Sequence, residues 1–412
     1  NPDQPASAAS CVSTLFQSSI HLNHSNMREG DSTETVNYGS PGGINLVVKK
    51  PGGSSAVMMG VIPYSSKGYN VSRTVETDTL MGNYKESYTG SGGTAKSYLG
   101  YAHTFKGKKW LPAGNADSVL VGNRAVSLGA QVSLLFGEVI STARLNIEDV
   151  TYLDNRTRSS MRHRSLGGLF GIQAFQLLWA NYDRERNFKG SASLYVGATY
   201  APEVHLFTDY EKTVETVQFL NTIETVIDTA SYTSLLNAQG RMPSKYSIGG
   251  AIVFENTNGR RVLLAADFME EDWTVVSESF NEIDILEGEA TWAVASRSSI
   301  GFTVKPRTDR SSNNILSRST FKSGFALDRY PISFKGNQLH GWRASAGVTI
   351  PLEGSRSTSK VHFGVEMGHR GVGIDNGTVF EESLEESLYS IQFGVTLAPF
   401  FKNLWLTPKL YD

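Results

Sequence analysis

Cysteine is almost absent from this 412-residue chain, where Cys11 stands alone. One thiol excludes an internal disulfide scaffold and a zinc cluster built on several cysteines. Also missing is any run of about 18 or more apolar residues, which excludes a membrane-spanning helix. Neither charge is in surplus: 38 Lys and Arg face 40 Asp and Glu, for a formal net charge of -2. A nucleic-acid binder would carry a basic excess on one face, so nucleic acid is not expected as a partner. Charged residues make up 19%, below the roughly 25% usual in soluble domains. Proline is sparse at 13, whereas Gly reaches 40, Phe 20 and Tyr 17.

Helical periodicity is scarce and alternation is widespread. Val126, Leu128, Ala130, Val132, Leu134 and Phe136 interleave with Ser127, Gly129, Gln131, Ser133 and Leu135. Tyr389, Ile391, Phe393, Val395 and Leu397 alternate with Ser390, Gln392, Gly394 and Thr396. Val361 to Met367 and Trp342 to Ile350 repeat the pattern. A period of two puts each set on its own side of a sheet. Strands of soluble sandwiches usually run about 5–6 residues, and these reach about 10, the length that crosses a bilayer when tilted. Gly, Ser, Arg, His and Glu on the opposite face suit a polar lumen. The expected fold class is all-β: one antiparallel transmembrane β-barrel.

Fourteen stretches read as strands: 12–24, 44–50, 55–70, 94–106, 123–146, 158–179, 190–210, 244–255, 260–275, 288–306, 314–328, 338–351, 360–372 and 385–402. Connections after even strands are mostly short, such as Pro51-Gly52-Gly53 and Asn256 to Gly259; Gly107 to Gly122 is a longer exception. Those after odd strands are long, notably Glu211 to Pro243 and Val275 to Glu287. Long loops on one side and short turns on the other mark bacterial barrels, with the short turns periplasmic. Both termini are then expected in the periplasm. Residues 1–11 read as an N-terminal lumen or periplasmic segment, 12–402 as the barrel and 403–412 as a periplasmic tail.

Four stretches resemble the FadL-like (OmpP1/FadL/TodX) outer-membrane family, in its Bacteroidota form. Asn1-Pro2 followed by Pro5-Ala6-Ser7 is similar to the family's Asn-Pro-Ala segment, here broken by Asp3 and Gln4. Gly60 to Tyr69 resembles the third strand and its exit, and Tyr88 to Gly93 the return into the fourth. Met242-Pro243-Ser244-Lys245-Tyr246-Ser247-Ile248-Gly249-Gly250 resembles the start of a later strand. The resemblance implies passive uptake of hydrophobic compounds, an N-terminal hatch (here a remnant in residues 1–11) and a kinked third strand that opens sideways. The alternative is a non-catalytic, membrane-embedded subunit of a larger outer-membrane complex for protein assembly, secretion or nutrient capture.

Three groups of residues are candidate sites, each with a plain alternative. Pro63, near Gly60, cannot donate to a ladder; the position is either a lateral opening or a stretch above the membrane. Arg343, His362, Glu366 and Arg370 share the polar face and are either lumen contacts for a ligand or ion pairs that fill the interior. Arg156, Arg158, Arg162, His163 and Arg164 form a basic cluster beside a long loop, either binding lipopolysaccharide phosphates or simply solvated. Expected partners are outer-membrane lipid and lipopolysaccharide, a hydrophobic ligand in the lumen, and other outer-membrane proteins or surface lipoproteins. No cofactor or metal is expected: the acidic runs Glu270-Glu271-Asp272, Glu381-Glu382 and Glu385-Glu386 lack calcium-loop spacing. Gly90 to Ser97 imitates a phosphate loop but has Ala95 before Lys96, where glycine is needed. No catalytic residues are expected.

Overall fold

The computed structural model describes residues 2–29, 32–49, 52–76, 82–113, 117–148, 152–183, 185–220, 223–279, 290–306, 315–354, 357–372 and 384–398. A 3-10 turn over Pro5–Ser10 precedes eighteen strands. These are β1 (Leu15–Glu29), β2 (Ser32–Lys49), β3 (Ser55–Ser66), β4 (Tyr69–Val75), β5 (Tyr84–Ala113) and β6 (Asp117–Ile147). They continue with β7 (Asp154–Tyr182), β8 (Phe188–Ala201), β9 (Val204–Leu220), β10 (Ile223–Met242), β11 (Lys245–Asn256) and β12 (Arg261–Asp272). The last six are β13 (Ala290–Trp292), β14 (Val294–Lys305), β15 (Thr320–Phe334), β16 (Asn337–Gly354), β17 (Ser357–Val372) and β18 (Leu384–Leu397). Two short helices, α1 (Thr274–Ser279) and α2 (Ile315–Arg318), interrupt connections.

Fourteen strands close a ring, all paired antiparallel: β1, β2, β3, β5, β6, β7, β8, β11, β12, β14, β15, β16, β17, β18 and back to β1. Each of the fourteen expected stretches overlaps one ring strand, although 190–210 runs past β8 into β9, 288–306 takes in β13, and 44–50 covers only the end of β2. The remaining four strands, β4, β9, β10 and β13, extend the wall beyond the ring.

Alternation sets which face each residue takes. Val132 is 58% exposed on the outside, whereas its neighbour Gln131 is 3% exposed on the lumen side. On β6 the outward apolar residues run from Val126 to Phe136 and stop at Glu138. Ten residues span about 34 Å of strand, or about 26 Å of height at a tilt of about 40°, close to the roughly 25 Å apolar band of outer-membrane barrels.

Several connections differ from expectation. Glu211 to Pro243 is a strand hairpin rather than a loop, because β9 pairs with the top of β7 and β10 folds back on β9. With β4 and the upper parts of β5, β6 and β7, these strands form a six-stranded sheet standing above the ring. Gly107 to Gly122 is likewise a ribbon at the short-turn end, paired from Lys108↔Gly122 to Ala113↔Asp117. β15 begins at Thr320, six residues later than expected, because α2 occupies Ile315–Arg318. Cys11 lies in the C-cap of the 3-10 turn, before the first strand. Most of Val275 to Glu287, Glu381, Glu382 and the 403–412 tail lie outside the described residues.

Candidate functional site

The lumen is moulded around the start of the chain. Gly129, Gly171 and Gly197, on the inward faces of β6, β7 and β8, form a smooth strip against which Gln4, Pro5 and Ala6 lie. A Cβ on Gly129 would sit 2.4 Å from the Ala6 nitrogen, and one on Gly171 would sit 2.9 Å from Pro5 Cδ. The Gln4 amide donates to the carbonyls of Ile172 and Ala198 at 3.2 and 3.3 Å. Ala8 and Ala9 pack with Val47, Met58, Tyr98 and Ala102. At the short-turn end the Lys49 ammonium donates to the Ala9 carbonyl, and the Thr14 hydroxyl bridges the Lys49 backbone at 3.1 and 3.2 Å. These six residues thus plug one side of the lumen.

Pro63 stands beside an interrupted ladder. β2 and β3 pair only from Lys49↔Ala56 to Ile44↔Val61. Above that, β2 follows β1 through a bulge at Gly42, with Gly43 at φ 100°. β3 follows β5 through a second bulge at Tyr64, with Pro63 opposite Ala95. Ala95 in turn faces Phe136, the last residue of the unbroken outward apolar run of β6 that began at Val126. The seam therefore opens at the upper edge of the apolar band. Gly60 lies lower, in the paired part. It lets the Tyr98 ring cross β3 so that its hydroxyl reaches Asn45 Oδ1 at 2.6 Å.

A lumen cavity of about 550 Å³ adjoins the seam at Ile62, Pro63 and Tyr64. Its far wall is charged: Lys245 pairs with Glu271 at 2.9 Å, and Arg297 with Asp328 at 2.5 Å. Arg343 bridges Asp328 at 2.8 Å and Glu366 at 3.7 Å. Arg370 pairs with Glu386, which also accepts from the Ser25 hydroxyl. His362 sits between Thr349 and Thr396 at 2.9 and 2.8 Å, and lines a second, lower cavity of about 520 Å³. Arg343 and Glu366 thus meet, while His362 and Arg370 bond to other groups. Asp328, the most buried member of this network, was not among the residues singled out in the sequence; its odd spacing from the outward Phe325 and Leu327 was the signal of its inward face.

Two arginines of the basic cluster, Arg156 and Arg162, are charge-matched. Arg156 binds Glu215 at 2.5 Å and Glu224 at 3.1 Å. Arg162 lies 3.8 Å from Glu138 and opposite Asp209. Arg164 donates to Asn237, His163 turns inward to Thr208 at 2.9 Å, and Arg158 is exposed. Like Leu166 and Phe170, the four arginines occupy the outward parity of β7, from Arg164 opposite Phe136 up to Arg156 opposite Arg144.

The sequence matches the BamG family over residues 1–405. The chain belongs to the BamG family. Among solved structures it is similar to the toluene transporter TodX of P. putida, with a TM-score of 0.53 at 12% identity, covering 97% of this chain and 93% of that one. The toluene transporter TbuX of Ralstonia pickettii gives 0.53 at 11% identity over 97% and 92%. A FadL homologue of Pseudomonas aeruginosa gives 0.52 at 11% over 96% and 92%. At these identities the likeness is one of fold: this BamG-family chain has the architecture of FadL-type outer-membrane barrels. Among curated proteins none matches the sequence.

Proposed function

We propose that the protein is a non-catalytic, membrane-embedded subunit of a larger outer-membrane complex, with its short turns and both termini on the periplasmic side. The observation that carries this reading is β10. Among the described residues it pairs only with β9, and from Val226 to Ser234 every residue is exposed on both faces. Tyr232 and Leu236 are 61% and 72% exposed. A long strand edge without a partner strand among the described residues is a template for pairing with another chain. The charged lumen points the same way, because pockets for apolar ligands are lined mainly by apolar side chains. The family's designation, BamG, accords with a component of an assembly. The test is extraction from native membranes in mild detergent. The wild type should elute with protein partners in fixed stoichiometry, and the double variant Tyr232→Asp, Leu236→Asp should elute as a lone, folded barrel. A wild type that is itself a lone barrel with an apolar compound in its lumen would refute the proposal.

One observation favours uptake as a second reading: the cavity reaches the open seam at Pro63. On that reading Pro63→Val restores a donor, narrows the seam and slows entry of a hydrophobic probe into cells; a subunit is unaffected. Arg156, matched by Glu215 of β9 and Glu224 of β10, is better suited to holding those strands upright than to binding phosphate.

A further inference from the structure

The outer wall carries an apolar groove of about 780 Å³ that neither reading uses. It crosses β16, β17, β18, β1 and β2, and the strand register orders it into rows. One row is Ala346, Val365, Ile391, Leu22 and Gly39; the next, toward the long-loop end, is Ala344, Met367, Tyr389, His24 and Asn37. Gly39, Ala344 and Ala346 are the low points of the wall. The row below is bulky, with Ile20, Phe363 and Phe393. The row above begins with Trp342 and is polar from β17 to β2: Thr35 donates to Asn26 at 2.9 Å, and His369 lies 3.4 Å from Ser387. Within the groove itself, His24 Nδ1 meets Asn37 Oδ1 at 2.7 Å. Because Oδ1 can only accept, the imidazole donates and the Asn37 amide N–H groups remain to face outward.

Polarity therefore changes from hydrocarbon-like to hydrogen-bonding within about two rows, on a face that meets lipid. His24 gives its one N–H to Asn37, so the donors left above the apolar trough are the amide N–H groups of Asn26 and Asn37 beside the His369–Ser387 pair, a set that matches an amphiphile with an acceptor-rich, phosphate-bearing head. We infer that the groove holds one phosphate-bearing lipid of the outer leaflet, its acyl chain over Ala344, Ala346 and Gly39 and its head at His24, Asn37 and His369. The site is independent of whether the barrel transports or assembles. A second copy of the chain is less well served, since a neighbouring barrel would have to bury the polar row against its own apolar belt.

Native mass spectrometry of the detergent-purified full chain, with phosphatidylglycerol added, tests the site. The wild type should keep one lipid through collisional activation that strips the loosely bound ones. Ala346→Trp should fill the trough, and His24→Ala with Asn37→Ala should remove donors; each should lower retention about tenfold. Val196→Trp, on the opposite wall, should retain the lipid like the wild type, and heat-modifiable migration checks that each variant folds. Diacylglycerol, which lacks the phosphate, should not be kept. Equal retention by the wild type and Ala346→Trp, equal retention of diacylglycerol, or a dimer that Ala346→Trp dissociates would each overturn the inference.

Discussion

Phe393→Arg and Gln392→Arg differ by one residue and should differ widely in cost. Phe393 pairs with Ile20 on one side and Phe363 on the other, midway along the outward apolar residues Tyr389 to Leu397, and is 50% exposed. Gln392 points the other way and lines the lower lumen cavity of about 520 Å³. An arginine on the lipid face at mid-depth costs about 2–4 kcal/mol. At about 1.4 kcal/mol per factor of ten, that lowers the folding equilibrium roughly 30- to 900-fold. At position 392 the guanidinium enters a polar cavity beside Gln17 and Glu366, so the change should stay within about 1 kcal/mol. The assay is reversible urea unfolding in phospholipid vesicles, followed by tryptophan fluorescence, with Phe393→Leu as the size control. Equal losses at 392 and 393 would refute both the facing and the depth assigned to β18.

Gly60→Ala should destabilise by about 1–3 kcal/mol, because its Cβ would lie 2.4 Å from the Ile44 carbonyl oxygen and 2.8 Å from the Tyr98 hydroxyl. Tyr98→Phe, which loses only the Asn45 hydrogen bond, should cost about 0.5–1.5 kcal/mol in the same unfolding assay. Asp328→Ala should cost about 3–5 kcal/mol by leaving Arg297 and Arg343 without their shared carboxylate, and Arg297→Met in that background should recover part of the loss. A cysteine at Tyr232 should react with an impermeant maleimide on intact cells while one at Asn258 should not; the opposite result would invert the proposed orientation.

The barrel was legible because the membrane imposes a simple rule on its wall. Wherever one face meets hydrocarbon and the other a wet lumen, the pattern alternates, as from Val126 to Phe136. Beyond the band that contrast vanishes. In β9 and β10, Thr213-Val214, Thr216-Val217, Thr225-Val226 and Thr229 are β-formers with no apolar face, so the segment resembled a loop; its Thr and Val content was the unused signal. The Lys108 to Ala113 ribbon escaped notice for the same reason. The plug's seat was harder still. Gly129, Gly171 and Gly197 belong to the inward sets, but which small inward residues adjoin one another depends on the register between strands, and a single strand cannot reveal it. Opposite charges on the lumen face were foreseeable as a group. Their pairing, with Asp328 as the hub, followed only from that same register.

Strands β5, β6 and β7 run 30, 31 and 29 residues, about three times what a crossing needs. Two of them continue into the ribbon at one end, β6 and β7 carry Gly129 and Gly171 beneath the N-terminal turn, and all three hold up the exposed sheet at the other end. These neighbourhoods share one backbone ladder, and a ladder does not slide by degrees: a slip of one residue would turn every side chain to the opposite face. The upper sheet can bend or twist, but it cannot shift along its strands without presenting Ala130 or Phe170 to the lumen where glycines now stand. A pull on the upper sheet therefore acts on a single beam, held at mid-length by Gln4, Pro5 and Ala6.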